Sequence, residues 1–254
     1  MLGRSIASLE SPPRRLLQRA FGVLDVDTRQ KWRSVWPRIA GLPADRLRLL
    51  DAGCGSGAWS LELASRRPGW TIVGVDVDAP SIAAAEERRK SLSLSNASFV
   101  EADFLAFRPA QRFDVVLSVA SAHYLVQAGK GKALFDAFAS WLAPGGLLVL
   151  FGPRRRGEMP MTRGLPPIHG REIFGYDDLD TLCRSSGLVP EAIVPAVGRL
   201  GTMAKQVGRI GRSLYPVQLL LDALEPRSPL PPDRPSFAWL VLARKAAGAG
   251  GERG

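Results

Sequence analysis

Asp51, Gly53, Gly55 and Gly57 are the residues whose types and spacing speak most directly of chemistry. They close the run LLDAGCGSG, and the amphipathic stretch AWSLELASR follows at once. A buried strand thus ends on a carboxylate, breaks into a loop of alternating glycines and opens a helix. Glycines remove the Cβ atoms that would hold a ligand off the backbone. The helix N-terminus adds unpaired N–H groups and a partial positive charge. A dinucleotide-binding loop reads G-x-G-x-x-G, whereas here Ser60 stands where a third glycine, counted from Gly57, would fall. A carboxylate at the head of the loop repels a pyrophosphate and attracts an ammonium. The ligand so described carries a positive amino group, and its own carboxylate can sit over the helix N-terminus.

His123, in the run SVASAHYL, is the candidate catalytic base. An imidazole titrates near neutrality and can take a proton from a hydroxyl. The alternative is a histidine that packs beside the ligand or bonds to backbone. His169 is the only other histidine and lies in a long Pro/Gly-rich stretch. Tyr124 and Tyr176 are candidates for orienting a substrate, or are structural. Arg154, Arg155 and Arg156 could grip an acidic or phosphorylated acceptor, or form a solvated cluster. Cys54 and Cys183 give neither a disulfide framework nor metal-ligand spacing. Cys54 reads as a small packing residue.

The elements that must position these residues follow from the hydrophobic pattern. Strands are expected near 47–51, 71–76, 97–101, 113–119 and 147–152. Helices are expected over 58–67, 80–92 and 132–142. Several strands are rich in Val, Leu and Ile, as in a parallel sheet covered on both faces. The expectation is an α/β fold with a doubly wound, mostly parallel sheet of seven strands. A helix over 176–186, an edge strand over 188–195 containing Pro190, and a last strand over 237–245 complete the count. Residues 1–45 read as an N-terminal helical cap, with one helix on Leu16, Leu17, Ala20, Phe21 and Leu24. A second helix carries Trp32, Val35, Trp36 and Ile39 on one side, with Pro37 weakening its end. The main domain runs over 46–245. Within it, 196–235 is a substrate-side insertion with helices near 202–213 and 216–225. The tail 246–254 is expected to be disordered.

Five segments, in order, resemble the class I (Rossmann-like) S-adenosylmethionine-dependent methyltransferases. DAGCGSG (51–57) resembles their first motif. TIVGVDVD (71–78) resembles the second strand, ending in an acid about 20 residues beyond the loop, as ribose recognition requires. VEADF (100–104) resembles the third strand with its adenine-contacting acid. FDVVLSVASAHYL (113–125) and LAPGGLLVLFG (142–152) resemble the fourth strand and the turn into the fifth. The resemblance covers roughly 46–152 and implies S-adenosyl-L-methionine as cofactor. It implies that Asp51 holds the methionine ammonium and that Gly53, Gly55 and Gly57 give backbone access. Asp76 would take the ribose hydroxyls, Asp103 the adenine amino group, and the Phe104 N–H a ring nitrogen. Val77 and Ser118 join the cofactor-binding set. The alternative for Asp103 is a cap for the turn at Phe104. The resemblance also implies an antiparallel last strand, and it sends 153–175, 196–235 and the N-terminal helices to the cofactor edge of the sheet.

The activity so implied is methyl transfer to a small-molecule acceptor. A hydroxyl is the leading acceptor, on a secondary metabolite or on a glycan or lipid-linked precursor. Two rivals remain. One is an RNA methyltransferase, prompted by a formal net charge of +10. Against it, Ser-Val-Ala-Ser follows the fourth strand in place of an Asn-Pro-Pro-Tyr-like motif, and no Pro-Cys pair occurs. No nucleic acid is therefore expected as partner. The other rival is a protein of this fold that binds the cofactor without transferring methyl, as a cyclase or scaffold. The basic amphipathic stretch 199–214 is a candidate for peripheral membrane contact, the alternatives being a cover over an apolar pocket or a helix packed on the domain. Charged residues interrupt 1–22, and no apolar run is long enough to span a bilayer. The expected location is the cytoplasm, including the inner membrane face.

Overall fold

Alternation of apolar strand and amphipathic helix determines the order of elements. The computed structural model describes residues 26–42, 45–154, 174–210, 215–225 and 236–247. Strands β1 (Arg48–Ala52), β2 (Thr71–Asp76), β3 (Ala97–Glu101), β4 (Phe113–Val119) and β5 (Leu142–Pro153) pair in parallel. With β6 (Leu188–Pro195) and β7 (Ala238–Lys245) they form one seven-stranded sheet of order β3-β2-β1-β4-β5-β7-β6. The chain winds outward from β1 in one direction and then returns to β4 on its other side. Such a reversal leaves a crevice at the carboxyl ends of the central strands, where ligands bind in this architecture. β7 runs antiparallel, and β6 lies at the edge, the position that Pro190 favours.

The chain divides into two compact units. The larger comprises Pro43–Gly152, Ile173–Ile193 and Val241–Gly254. Its core is the sheet centre, with Leu49, Leu50, Ile72, Val116 and Leu148 fully buried. Helices α2 (Ala58–Arg66) and α3 (Ala79–Ser91) follow β1 and β2. Asp78 starts α3 by accepting from Ser81 N at 3.1 Å, and the helix ends on Arg88, Arg89 and Lys90, which complement its dipole. Beyond α2, the Asn96 side chain donates to the Ala64, Arg67 and Trp70 carbonyls. After the short α4 (His123–Gln127), α5 (Gly131–Trp141) buries Phe135, Phe138 and Trp141. Each such ring stabilises the fold by about 1.5–3 kcal/mol relative to exposure. The larger unit also contains α6 (Tyr176–Ser185), which opens on a hydrogen bond from Gly175 N to Asp178.

The smaller unit comprises Met1–Leu42, Pro153–Glu172 and Val194–Leu240. Its described helices are α1 (Val26–Ala40), α7 (Arg199–Ile210) and α8 (Tyr215–Leu224). Asp222 on α8 is fully buried and pairs with Arg29 Nε at 3.2 Å and Arg33 Nη1 at 3.4 Å. Arg33 also donates to the Asp222 and Glu225 carbonyls. The Glu225 carboxylate accepts from Gly198 N at 2.8 Å and Gly201 N at 2.6 Å, which satisfies amides at the start of α7.

Several elements differ from expectation. β5 begins at Leu142 rather than 147, because Leu142 pairs with Phe113 before the register shifts and resumes at Leu147↔Val115. Residues 143–146 form the resulting bulge, with Gly145 at φ 75. α4 carries His123 and is too short to leave a periodic signal. α7 starts at Arg199, three residues earlier than the periodicity predicts, and α8 at Tyr215, one residue earlier. Pro37 lies inside α1, which continues to Ala40. Val35 and Ile39 are buried as expected, whereas Trp32 and Trp36 are half-buried and stack on each other at 5.1 Å. Gln30 and Ser34 are buried instead, through bonds from Gln30 to Gly201 O and from Ser34 to Ala196 O. The expected helix on Leu16–Leu24, most of the loop 153–175 with Arg155, Arg156 and His169, and residues 248–254 lie outside the described residues.

Candidate active site

The crevice beside β1 is built by backbone that side chains could not occupy. A Cβ on Gly53 would lie 2.2 Å from the Ser121 Cβ and 3.3 Å from the Phe104 ring. One on Gly57 would lie 2.7 Å from the Phe99 ring, and one on Gly74 would lie 2.6 Å from the same ring. The loop is therefore pressed between Phe99 on one side and the β4–α4 turn on the other. Gly55 differs: a Cβ there would meet nothing within 4 Å. Gly55 faces open space with φ 52, alone among the three glycines of the loop.

Two carboxylates, Asp51 and Asp76, stand at this loop, and a third, Asp103, follows β3. Asp51 at the end of β1 is 2% exposed, and its Oδ2 accepts from Ser60 Oγ at 2.6 Å. Burial pushes its carboxyl up to about 6, the Ser60 bond opposes this, and the nearby charge of Asp76 adds to it. A buried carboxyl poised in this way gains from a cation brought beside it. Asp76 is half-buried at the end of β2. Its Oδ2 accepts from Gly55 N at 2.8 Å and its Oδ1 from Asp78 N at 3.0 Å. Asp103 is exposed beyond β3, and its Oδ1 accepts from Leu105 N at 2.7 Å. The turn-capping bond weighed for Asp103 is thus present. Phe104 follows, half-buried, with its ring edge-on to Trp141 at 6.1 Å. Val77 is 67% exposed beside Asp76.

The β4–α4 turn completes the site. Ser118 is buried, and its Oγ lies 2.8 Å from Ser121 Oγ. Ser121 donates its single hydroxyl proton to Ala52 O at 2.8 Å, so Ser118 is the donor to Ser121. Between them Ala120 sits at φ 57, a left-handed conformation that costs an alanine about 1–2 kcal/mol. A bond from Ala120 N to Phe151 O at 2.8 Å holds it there. His123, two residues beyond Ser121, starts α4, is 6% exposed and stacks on Tyr124 at 4.3 Å. Tyr124 and Tyr176 are each about half exposed.

Sequence reasoning missed Ser60, Ser121, Phe99 and Arg88. Arg88 is half-buried on α3 and donates to Ser56 O at 3.3 Å. Ser60 had a signal, a hydroxyl in the first turn after the loop. Ser121 and Phe99 had none, since each acts across strands. Cys54 is buried with Sγ 2.9 Å from where a Gly74 Cβ would stand, and burial raises its thiol pKa, with Asp51 and Asp76 adding to the effect. Arg154 lies 4.2 Å from the Trp239 ring centroid and bonds to Ser236 Oγ.

Residues 49–146 match the family model described as "Methyltransferase domain". This stretch is a class I methyltransferase domain. Such a domain holds S-adenosylmethionine, and the residues present fit that group. The Gly55 backbone faces open space, the Asp51 carboxyl is buried at the end of β1 where a cation would favour its charged form, and Asp76 stands at the loop's edge. The release factor glutamine methyltransferase of Escherichia coli is 32% identical over 171 residues, 59% of each chain. The nocamycin O-methyltransferase of Saccharothrix syringae is 33% identical over 54% of this chain and 50% of its own. Among solved structures, the cyclase SpnF shares the fold with a TM-score of 0.60 at 19% identity, covering 88% of this chain and 80% of its own. The chain spans between a quarter and three fifths of the length of the leading curated relatives it matches.

Proposed function

We propose that the protein transfers a methyl group from S-adenosylmethionine to an oxygen nucleophile of a small molecule, with His123 as the base. The observation that carries the cofactor half is the open Gly55 backbone flanked by Asp51 and Asp76. When bound, the cofactor supplies a methyl carbon made electrophilic by a sulfonium, which leaves as a neutral thioether. The chain then has three tasks: to hold both reactants in line, to exclude water, and to take one proton. Asp51 holds the ammonium, Asp76 the ribose hydroxyls and Asp103 the adenine amino group, with Val77, Phe104 and Ser118 lining the same crevice. His123 accepts the acceptor hydroxyl's proton as oxygen bonds to the methyl carbon. Its support is position: it follows the turn whose Ser121 binds Ala52 O and packs on Gly53.

The nocamycin O-methyltransferase relative supports an oxygen acceptor, and a secondary metabolite or a glycan or lipid-linked precursor is the class proposed. Incubation with methyl-labelled S-adenosylmethionine and hydroxylated acceptors tests this reading. Transfer with release of S-adenosylhomocysteine is expected, and His123→Ala is expected to lower turnover by at least about a hundredfold with cofactor affinity retained. Unchanged turnover in that variant removes His123 from the mechanism. Tight cofactor binding without any transfer favours the second reading, a non-methylating protein such as the cyclase that shares the fold.

A further inference from the structure

We infer that the α7–α8 hairpin docks the protein on an anionic lipid surface. The inference stands on the smaller unit alone and does not depend on which acceptor is methylated. On α8 the exposed residues among those described are Pro216, Val217, Leu220, Ala223 and Leu224, all apolar. Val217, Leu220 and Leu224 are spaced i, i+3, i+7 and so form one stripe, with Leu220 and Leu224 each 59% exposed. Single exposed leucines are ordinary, but a contiguous stripe marks a contact surface. On α7 the exposed residues among those described are Arg199 and Met203.

Charge decides what covers the stripe. The stretch 199–214 carries Arg199, Lys205, Arg209 and Arg212 and no acid. The two acids of α8 and its end, Asp222 and Glu225, are 0% and 7% exposed. Asp222 is held by Arg29 and Arg33, and Glu225 by the amides that open α7. The fold thus turns both carboxylates of the hairpin inward, so that the exposed residues described on it are apolar apart from Arg199, in a stretch whose sequence adds cations and no acid. A second copy of this chain, docking through the same patch, would set one basic stretch against another. An anionic bilayer accepts both features, with leucines at the acyl boundary and cations among the headgroups. No described helix is long and apolar enough to cross a membrane, so the hairpin lies on the surface.

The test is sedimentation of the full chain with vesicles of phosphatidylcholine alone, or of phosphatidylcholine mixed with phosphatidylglycerol. Binding to the mixed vesicles is expected, with little to the neutral ones, and it should weaken as salt is raised. The double variant Leu220→Glu, Leu224→Glu should bind at least about tenfold more weakly while its thermal midpoint and S-adenosylmethionine uptake stay at wild-type values. Arg199→Glu should weaken binding without touching the apolar stripe. Absence of binding to anionic vesicles overturns the inference, as does equal binding to neutral ones. A concentration-dependent dimer of the wild type that Leu220→Glu dissolves would show that a second copy covers the stripe, and would overturn it too.

Discussion

The Asp76 carboxylate accepts a hydrogen bond from the Gly55 amide at 2.8 Å, tying the end of β2 to the one glycine of the loop that faces open space. One side chain therefore shapes the loop and, in its proposed role, also offers its charge to the cofactor. Replacing Asp76 by Ala removes both. S-adenosylmethionine affinity, read by calorimetry, is expected to fall about a hundredfold, the worth of one or two hydrogen bonds to a charged group. Asp76→Asn keeps an acceptor for Gly55 N and should lose about tenfold.

Gly53 and Gly55 separate packing from access. Both have positive φ, so alanine is strained at either position by about 1–2 kcal/mol. Gly53→Ala also drives a Cβ into Ser121, at 2.2 Å, and should lower stability by about 3 kcal/mol or more, measured by urea unfolding. Gly55→Ala meets no neighbour, so its stability loss should stop at the strain. Its cofactor affinity should still fall at least about tenfold, because the new Cβ stands in the open space where the proposed site receives the ligand.

In its proposed role, Asp51 makes cofactor binding depend on pH. Its carboxyl is raised by burial to about 6, from 3.8. A raised acid favours its protonated form in the fold. Its contribution to stability is therefore greatest below the unfolded value and is lost as pH rises from about 4 to about 6, by about 3 kcal/mol. An ammonium beside Asp51 favours the charged form and lowers that value again. Binding should accordingly be strongest above about pH 6 and weaken up to tenfold per unit below it. Asp51→Asn should raise the thermal midpoint of the ligand-free protein at pH 8, abolish the pH dependence of binding, and weaken binding at neutral pH.

Asp222 tests the smaller unit. Asp222→Ala leaves the half-buried Arg29 and Arg33 without their shared carboxylate. Arg33 keeps its bonds to two carbonyls, so the loss is expected at about 1–3 kcal/mol rather than more. Thermal unfolding reads the loss, and S-adenosylmethionine uptake by the folded fraction should be unchanged.

The sequence by itself determined the α/β fold, all seven strands, and the glycine loop after β1 that is proposed to meet the ligand. Those features are local: a strand's period, a glycine's missing Cβ and an acid at a strand end act on adjacent residues. It could not show that Ser121 locks onto Ala52 O, 69 residues away, or that Phe99 fills the space over Gly57 and Gly74. Nor could it show that Asp222 and Glu225 turn inward, since the partner of Asp222 lies 193 residues back in α1. These contacts exist only once separate elements pack. Only the tertiary structure could decide which charges the packing neutralises, and hence that the outer side of α8 is left to its leucines.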